Sequence, residues 1–143
     1  MISKGSAYDD VRPIPIVDES HYSRLLELAL SARKSLPGLA DRLLEEVERA
    51  EVKVSSEIPA GVVRIGSWVT YGDEGIGASN TIQLVYPDAA DVNLRRISVL
   101  TPVGAALLGL SVGQSIEWEM NDGRRKKLTV LDVLEDQDSL LEA

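Results

Sequence analysis

The sequence predicts an α+β fold, in which a short N-terminal antiparallel helical hairpin precedes an antiparallel sheet domain that contains one small helix. Apolar residues recur at helical spacing between residues 18 and 56, and from residue 62 they alternate with polar residues at a period of two. Helical spacing returns for a short run that begins at Pro102, inside the alternating region. These changes of period give the predicted order of the elements.

The composition limits the functions that the chain can perform. Its 143 residues include no cysteine, which excludes thiol catalysis, cysteine-ligated zinc and disulfide bonds and favours a reducing cytoplasm. His21 is the single histidine, so we expect no metal site, and we expect no cofactor. The net charge of −8 argues against free nucleic acid as a partner, because phosphate contacts need a concentrated positive surface. No apolar run reaches the roughly 20 residues of a membrane span, so we expect no membrane partner and a cytoplasmic location. We also expect the chain to be a monomer.

Changes in composition divide the chain into four segments. They are an extended lead at residues 1–17, the helical hairpin at residues 18–56, the sheet domain at residues 61–135 and an acidic tail at residues 136–143. Asp18 or Ser20 is the predicted N-cap of the first helix, because both side chains accept hydrogen bonds from free backbone N–H groups. Pro37 is predicted to start the second helix, with Ser35 or Leu36 as its N-cap, since proline loses no hydrogen bond there.

The second helix is predicted to pack on the first along a coiled-coil seam. Its apolar residues follow the alternating spacing of four and three residues that such a seam requires. They are Leu36, Ala40, Leu43, Val47, Ala50 and Val54. The charged residues between them are predicted to face solvent: Glu45, Glu46, Glu48, Arg49 and Glu51. Neither helix buries its apolar stripe alone, so we expect an antiparallel hairpin with arms of only three or four turns.

Residues 97–133 carry the most specific pattern in the chain. A strand of alternating residues leads to Thr101 and Pro102, and a short helix with glycines near its end follows. Another strand, the turn Asn121-Asp122-Gly123 and a returning strand then form a β-hairpin. Together with two earlier strands around a glycine-containing turn at residues 72–77, the sheet is predicted to have about five antiparallel strands.

Parts of this region resemble the C-terminal domain of the Gre transcript-cleavage factors. The likeness rests on residues 97–99, on residues 101–109, which read TPVGAALLG, and on Val112-Gly113. The sequence that follows these blocks, and residues 84–87 before them, look more like the Rnk branch of that superfamily, the regulators of nucleoside diphosphate kinase. The resemblance implies a Gre-like domain, similar in fold to the FKBP prolyl isomerases, and it implies RNA polymerase as the partner.

The resemblance also implies which residues dock on polymerase. They lie at the start of the short helix and in the turn of the β-hairpin: Thr101, Pro102, Val103, Gly104, Asn121, Asp122 and Gly123. Spacing alone indicates only that these residues can lie on exposed turns.

The tip of the helical hairpin lacks the residues on which cleavage depends. In the Gre factors, paired acids at the tip help to bind a magnesium ion in the polymerase active site, where backtracked RNA is hydrolysed. Here the tip contains Arg33, Lys34, Ser35 and Leu36, and the nearest carboxylate, Asp41, stands alone. A helix of about 15 residues also spans only about 22 Å. The sequence therefore predicts a non-catalytic regulator that docks near the secondary channel of polymerase without stimulating transcript cleavage.

Two other functions remain open as alternatives. One is a Gre-type transcript-cleavage factor, and the other is a peptidyl-prolyl isomerase on the FKBP-like fold. An isomerase needs an apolar pocket with aromatic walls, whereas this chain has no phenylalanine, two tryptophans and four tyrosines. The basic run Arg124–Lys127 is also open to two interpretations, since it is either a solvated sheet edge or a contact with a partner.

Overall fold

The computed structural model describes residues 12–74, 77–120 and 122–134. Within these ranges the chain forms three α-helices and seven strands, which confirms the α+β class. The helices are α1 (Glu19–Ser31), α2 (Pro37–Glu48) and α3 (Pro102–Leu107). The strands are β1 (Ile16–Asp18), β2 (Glu51–Lys53), β3 (Trp68–Asp73), β4 (Ala78–Val85), β5 (Arg96–Ser98), β6 (Ser115–Glu119) and β7 (Arg125–Leu134). The predicted acidic tail and residues 1–11 of the predicted lead lie outside the described ranges. In the described part of the chain, no helix has the length and apolarity to cross a membrane.

The first two helices begin where the sequence indicates. Asp18 is the N-cap of α1, and its side chain accepts a hydrogen bond of 2.9 Å from the backbone N–H of Ser20. Pro37 is the first residue of α2, and Leu36 precedes it as an N-cap that makes no side-chain hydrogen bond. Residues 32–36 connect the two helices, which contact each other. Their fully buried residues are Leu25, Ala29, Ala40, Leu43 and Val47.

Helix α2 is shorter than the seven-residue pattern predicts. It ends at Glu48, and Glu51–Lys53 instead forms β2, which pairs in parallel with β1. The backbone N–H of Glu51 donates to the carbonyl oxygen of Pro15 at 2.8 Å. The hydrogen bonds that a further helical turn would have made at these residues are therefore made by strand pairing instead. Leu36 and Val54, the ends of the predicted seam, are 44% and 40% exposed.

The prediction that Glu46 faces solvent is wrong. Its side chain is buried, because Arg12 Nη1 donates to Oε2 at 2.8 Å and Arg49 Nη2 donates to Oε1 at 3.0 Å. Arg49 also donates to the carbonyl oxygen of Pro13 at 2.7 Å. A buried carboxylate is tolerated when it is paired and hydrogen-bonded in this way. The helical pattern could not reveal the pairing, since Arg12 lies far from Glu46 in the sequence.

Five strands form the main sheet, in the order β5-β4-β3-β7-β6. Three neighbouring pairs are antiparallel, as predicted, but β4 and β5 are parallel, so the prediction was wrong for that pair. A parallel pair needs a crossover between its strands. Two 3₁₀ turns, Pro87–Ala89 and Val92–Leu94, form this crossover, and Arg95 ends it with a left-handed backbone at φ 60°. The apolar pattern contains no signal for such a connection.

One hydrophobic core connects the helices to the sheet. Its fully buried members come from both long helices, from the sheet and from α3: Leu25, Leu43, Val69, Leu107 and Leu128. A backbone hydrogen bond of 3.0 Å from Ile16 N–H to the carbonyl oxygen of Gly109 also links β1 to the end of α3. Because residues 18–56 and 61–135 share this core, we expect the two predicted segments to unfold together.

Asp18 is the centre of a polar cluster at the start of α1. Its carboxylate accepts hydrogen bonds from Ser20 Oγ at 2.8 Å and from Ser55 Oγ at 2.6 Å, and Arg64 lies 3.5 Å away. Burial raises the pKa of this carboxyl, but the hydrogen bonds from Ser55 and Ser20 outweigh burial and lower the pKa from 3.8 to about 2. The cluster therefore contributes to folding stability only while Asp18 is ionised.

Replacing Leu43 with alanine tests whether the core is a single cooperative unit. Leu43 is fully buried, so the free energy of unfolding should fall by about 2–5 kcal/mol. Hydrogen exchange should show that the sheet loses protection together with α1 and α2. Leu30→Ala, at an exposed position of α1, is the control and should change stability by less than about 0.5 kcal/mol. Loss of protection confined to residues 18–56 would show two separate folding units.

The lowered pKa of Asp18 predicts a loss of stability in acid. The folded state binds this proton more weakly than the unfolded state, so the stabilisation is complete above the unfolded pKa of 3.8 and disappears as the pH falls through about 2. Asp18→Asn should therefore be less stable than wild type at pH 7, by about 2 kcal/mol. Urea unfolding at several pH values should show this gap closing below pH 3.8. A gap that is independent of pH would assign the effect to lost packing instead.

Candidate docking site

The chain segment before α3 forms a tightly capped corner. Thr101 is the N-cap, and its Oγ1 accepts a hydrogen bond from Gly104 N–H at 3.0 Å and donates one to the Ser98 carbonyl oxygen at 2.7 Å. Pro102 is the first helical residue, where its preset φ suits the helix. Thr101, Pro102 and Val103 are all partly exposed. The corner therefore presents these three predicted docking residues at the surface.

Gly104, the fourth predicted docking residue of this corner, is buried. A Cβ atom at this position would lie well inside van der Waals contact with the Ser98 carbonyl oxygen and 2.9 Å from Val99 Cα. Glycine is therefore required because α3 packs directly on the backbone at the end of β5. Gly104 holds the corner in position and offers no side chain to a partner.

A cleft of about 580 Å³ lies beside the corner. It brings together two predicted docking segments that are distant in sequence, the start of α3 and the turn between β6 and β7. Of the three predicted residues in that turn, Asp122 lines the cleft and Gly123 is exposed beside it. Asn121 lies outside the described residues. The lining consists of Tyr71, Asn80, Ile82, Ile97, Thr101, Pro102, Val103, Met120, Asp122 and Lys126.

Sequence reasoning missed the part of the lining that the sheet contributes. These residues are Tyr71, Asn80, Ile82, Ile97, Met120 and Lys126. Most of them lie on strands β3, β4, β5 and β7, so only strand pairing brings them to the same place. Alternation along β3 and β4 could have placed Tyr71 and Ile82 on the inner face of the sheet. It could not have shown that α3 stops short of covering them.

Several polar residues of the cleft lining are paired with residues outside it. Lys126 Nζ donates to Asp73 Oδ2 at 3.1 Å, and both side chains are largely buried. Burial raises the pKa of the Tyr71 hydroxyl, and the negative charge of Asp73 raises it further, so Tyr71 is a neutral phenol at neutral pH. Tyr71 is also the one aromatic residue among the described lining residues. The cleft therefore offers little of the aromatic wall that a prolyl isomerase pocket needs.

Each residue of the basic run Arg124–Lys127 has an acidic neighbour. The ion pairs are Arg124–Asp122 at 2.8 Å, Arg125–Glu117 at 3.8 Å, Lys126–Asp73 at 3.1 Å and Lys127–Glu74 at 3.9 Å. The run also alternates along β7, with Lys126 directed to the cleft side and more buried than its neighbours. These pairs divide and neutralise the positive charge, so the run is a solvated, ion-paired surface and offers little free charge to a partner. It does not lie on an edge strand, as one of the two interpretations assumed, because β7 lies between β3 and β6.

The predicted tip residues Arg33, Lys34, Ser35 and Leu36 are exposed in the connection between α1 and α2. Arg33 Nε donates to Asp41 Oδ1 at 3.1 Å, so the nearest carboxylate is already paired with a cation. Across the described residues, no group of three histidine, aspartate or glutamate side chains is arranged to hold a metal ion. Helices of 13 and 12 residues span only about 20 Å, and both pack on the sheet.

Comparison with known proteins identifies the family. The family model described as "Transcription elongation factor, GreA/GreB, C-term" matches residues 58–135, which is more than half of the chain. The chain belongs to the GreA/GreB family. The matched segment contains every described residue that lines the cleft, whereas α1 and α2 precede it.

Individual relatives extend the similarity beyond that segment. The chain is 37% identical over 123 residues to the regulator of nucleoside diphosphate kinase from Escherichia coli (strain K12), covering 85% of this chain and 90% of that protein. It is 37% identical over 90 residues to the transcription elongation factor GreA from Rhodospirillum rubrum, covering 63% of this chain and 57% of that protein.

A solved structure, the prokaryotic transcription elongation factor GreA/GreB from Nitrosomonas europaea, is 36% identical with a TM-score of 0.67. That similarity covers 85% of this chain and 98% of the solved one. The predicted resemblance to the Gre superfamily and to its regulators of nucleoside diphosphate kinase is confirmed.

The close contact of Gly104 with the backbone of Ser98 and Val99 predicts that alanine is much more destabilising at Gly104 than at Gly38. Gly104→Ala should lower the free energy of unfolding by about 1–3 kcal/mol or more, because the new Cβ displaces α3 from the end of β5. Gly38→Ala is the control, since a Cβ there meets no atom within 4 Å and alanine favours the helix by up to about 1 kcal/mol. Thermal unfolding of both variants measures the difference. Equal melting temperatures would mean that α3 does not depend on this contact.

Proposed function

We propose that this protein is a non-catalytic transcription regulator that binds RNA polymerase through the cleft beside α3. The observation that carries the proposal is the convergence of the corner Thr101-Pro102-Val103 and the turn residue Asp122 on this cleft, inside the segment that matches the GreA/GreB family. The relatives of this chain include transcription elongation factors, and RNA polymerase is the assembly on which such a factor acts.

The character of the cleft supports a protein segment as its occupant. Tyr71, Ile82, Ile97, Val103 and Met120 give it an apolar lining, and its buried cation Lys126 is already paired. Such a surface favours the burial of an apolar side chain and leaves little free charge for a highly charged small molecule. The chain as a whole carries a charge of −8, which would assist its approach to a basic surface around a channel that binds nucleic acid.

The tip between α1 and α2 supports regulation without transcript cleavage. Hydrolysis assisted by a second metal ion needs at least two carboxylates close together. The tip presents Arg33 and Lys34, and the single nearby acid, Asp41, pairs with Arg33. We propose that the two helices form a short hairpin that approaches the secondary channel of polymerase in the cytoplasm without delivering a metal ion to its active site.

Val103→Asp tests the docking surface. The substitution places a charge in the apolar lining, so the affinity for core RNA polymerase should fall by about tenfold or more, since a buried unpaired charge is costly. Asp122→Asn, at an exposed position on the opposite wall, should weaken binding without affecting the fold. Fluorescence anisotropy of the labelled chain with core polymerase provides the measurement.

Val92→Asp is the matched control for this experiment. Val92 is 80% exposed and lies outside the cleft lining, so the same substitution there should leave binding unchanged. Each variant needs a melting curve, because Val103 also contacts the core. If wild type fails to bind polymerase, or if folded Val103→Asp and Asp122→Asn both bind as wild type does, the proposed function is wrong.

A transcript-cleavage assay tests the absence of catalysis. With stalled, backtracked elongation complexes and end-labelled RNA, this chain should release no short RNA products above the intrinsic rate, because its tip has no pair of carboxylates. A Gre cleavage factor in a parallel reaction is the positive control. Release of dinucleotides at a rate comparable with the control would identify a cleavage factor instead.

A further inference from the structure

A second, smaller cleft continues the docking cleft on the other side of the corner. Its volume is about 370 Å³, and it shares Pro102 and Met120 with the main cleft. The remaining lining comes from the first turns of α2 and from the end of β6: Gly38, Leu39, Arg42, Trp118 and Glu119. A Cβ on Gly38 would meet no atom within 4 Å, so this wall is open to an incoming group.

Arg42 is a cation without a counter-ion in this second cleft. Among the described residues, its guanidinium has no ion-pair or hydrogen-bond partner, and its buried Nε is unpaired. The acid one helical turn further on is Glu46, but Arg12 and Arg49 already occupy both of its oxygens. A buried N–H group without an acceptor destabilises the free protein and favours a ligand that supplies one.

Trp118 provides an aromatic ring beside this guanidinium. The Cζ atom of Arg42 lies 4.7 Å from the centroid of the Trp118 ring, and Trp118 itself is only 2% exposed. A cation–π contact with a buried ring reduces the conformational freedom that Arg42 would lose on binding. The planar guanidinium presents its N–H groups in a fork that matches the two oxygens of a carboxylate.

We propose that Arg42 is a specificity-determining anchor that binds a carboxylate on the partner segment occupying the docking cleft. The inference rests on the proposed function and specifies the chemistry of the partner. One apolar side chain of the segment enters the main cleft, and an aspartate or glutamate close to it in the same segment reaches Arg42 across Pro102 and Met120. Leu39 contributes an apolar wall beside the anchor.

Charge complementarity favours a protein carboxylate over a nucleic-acid phosphate. Among the described residues that line the second cleft, Arg42 is the single cation, and Glu119 in the same lining repels a ligand that carries several negative charges. Recognition of a nucleic-acid backbone requires several cations in a row, and this chain has an overall charge of −8. A single carboxylate on an otherwise apolar segment fits one unpaired guanidinium between apolar walls.

Arg42→Gln tests the anchor within the proposed complex. The variant keeps much of the aliphatic stem and removes the charge, so affinity for core RNA polymerase should fall by about tenfold, as expected for a lost charge-assisted hydrogen bond. Arg42→Lys keeps the charge without the fork and should recover only part of the affinity.

Arg24→Gln is the matched control for Arg42→Gln. Arg24 also stacks on an aromatic ring, at 3.7 Å from the centroid of Tyr86, but it has its own acidic partner, Asp88, and lies outside both clefts. Its substitution should leave the affinity for polymerase unchanged. If folded Arg42→Gln binds as well as Arg24→Gln while Val103→Asp binds weakly, the anchor is refuted and the proposed function stands.

A second measurement needs no polymerase. Acetyl-Ala-Leu-Glu-Leu-Ala-amide and its Gln-containing counterpart are titrated separately into the ¹⁵N-labelled chain. The Arg42 Nε–H and Trp118 indole resonances should shift with the Glu peptide alone, and Arg42→Gln should abolish the shift of the indole. This result would support the anchor even if wild type did not bind polymerase, in which case the proposed function alone would fail. Equal shifts with both peptides, shifts with neither, or the same shifts with inorganic phosphate would overturn the anchor.

Discussion

The direct packing of α3 on the end of β5 is the contact on which the candidate docking cleft depends. Gly104 permits it, because any side chain at that position would collide with the backbone of Ser98 and Val99. Thr101 joins the same two parts by donating to the Ser98 carbonyl oxygen and by capping the helix. The helix is only six residues long and would not persist alone, so its position comes from this contact and from its buried residues.

The location of α3 determines what is buried and what is left open. Ala105, Ala106 and Leu107 enter the core that also contains Leu25 and Leu43 from the long helices. The first turn of α3 remains at the surface and forms a wall of both clefts. The same short helix therefore closes the core on one side and forms a wall of both clefts on the other, so changes in its packing should affect stability and the proposed binding together.

The buried acidic side chains of the described residues have partners, whereas the cation Arg42 in the second cleft has none. Glu46, Asp18 and Asp73 are all buried, and each one has cationic neighbours or hydrogen-bond donors that hold it in a defined position. Removing one member of such a pair is destabilising, because it leaves a buried charge without compensation. Arg42 differs from these groups because its partner is lacking among the described residues. This unpaired cation in the second cleft, beside residues that match the family model, is the observation from which the proposed carboxylate anchor was inferred.

The sequence by itself determined most of the element types, the starts of the helices to within two residues, and the family. The N-cap role of Asp18, the helix starts at Pro37 and Pro102 and the strand pattern after residue 62 are all local signals, and local hydrogen bonding and preset backbone angles decide them. Residues 97–99, 101–109 and 112–113 together indicated the family, and the match of the family model over residues 58–135 confirms it.

Only the tertiary structure decided which of these elements meet. The end of α2 at Glu48, the parallel pairing of β4 with β5 and the burial of Glu46 all depend on partners far away in sequence, and apolar spacing carries no information about them. The same reason applies to the candidate site, since Tyr71 and Lys126 reach the cleft through strand pairing, and Arg42 reaches the corner through helix packing. Periodicity specifies which face of an element is apolar, but the identity of the opposite surface is a property of the folded chain.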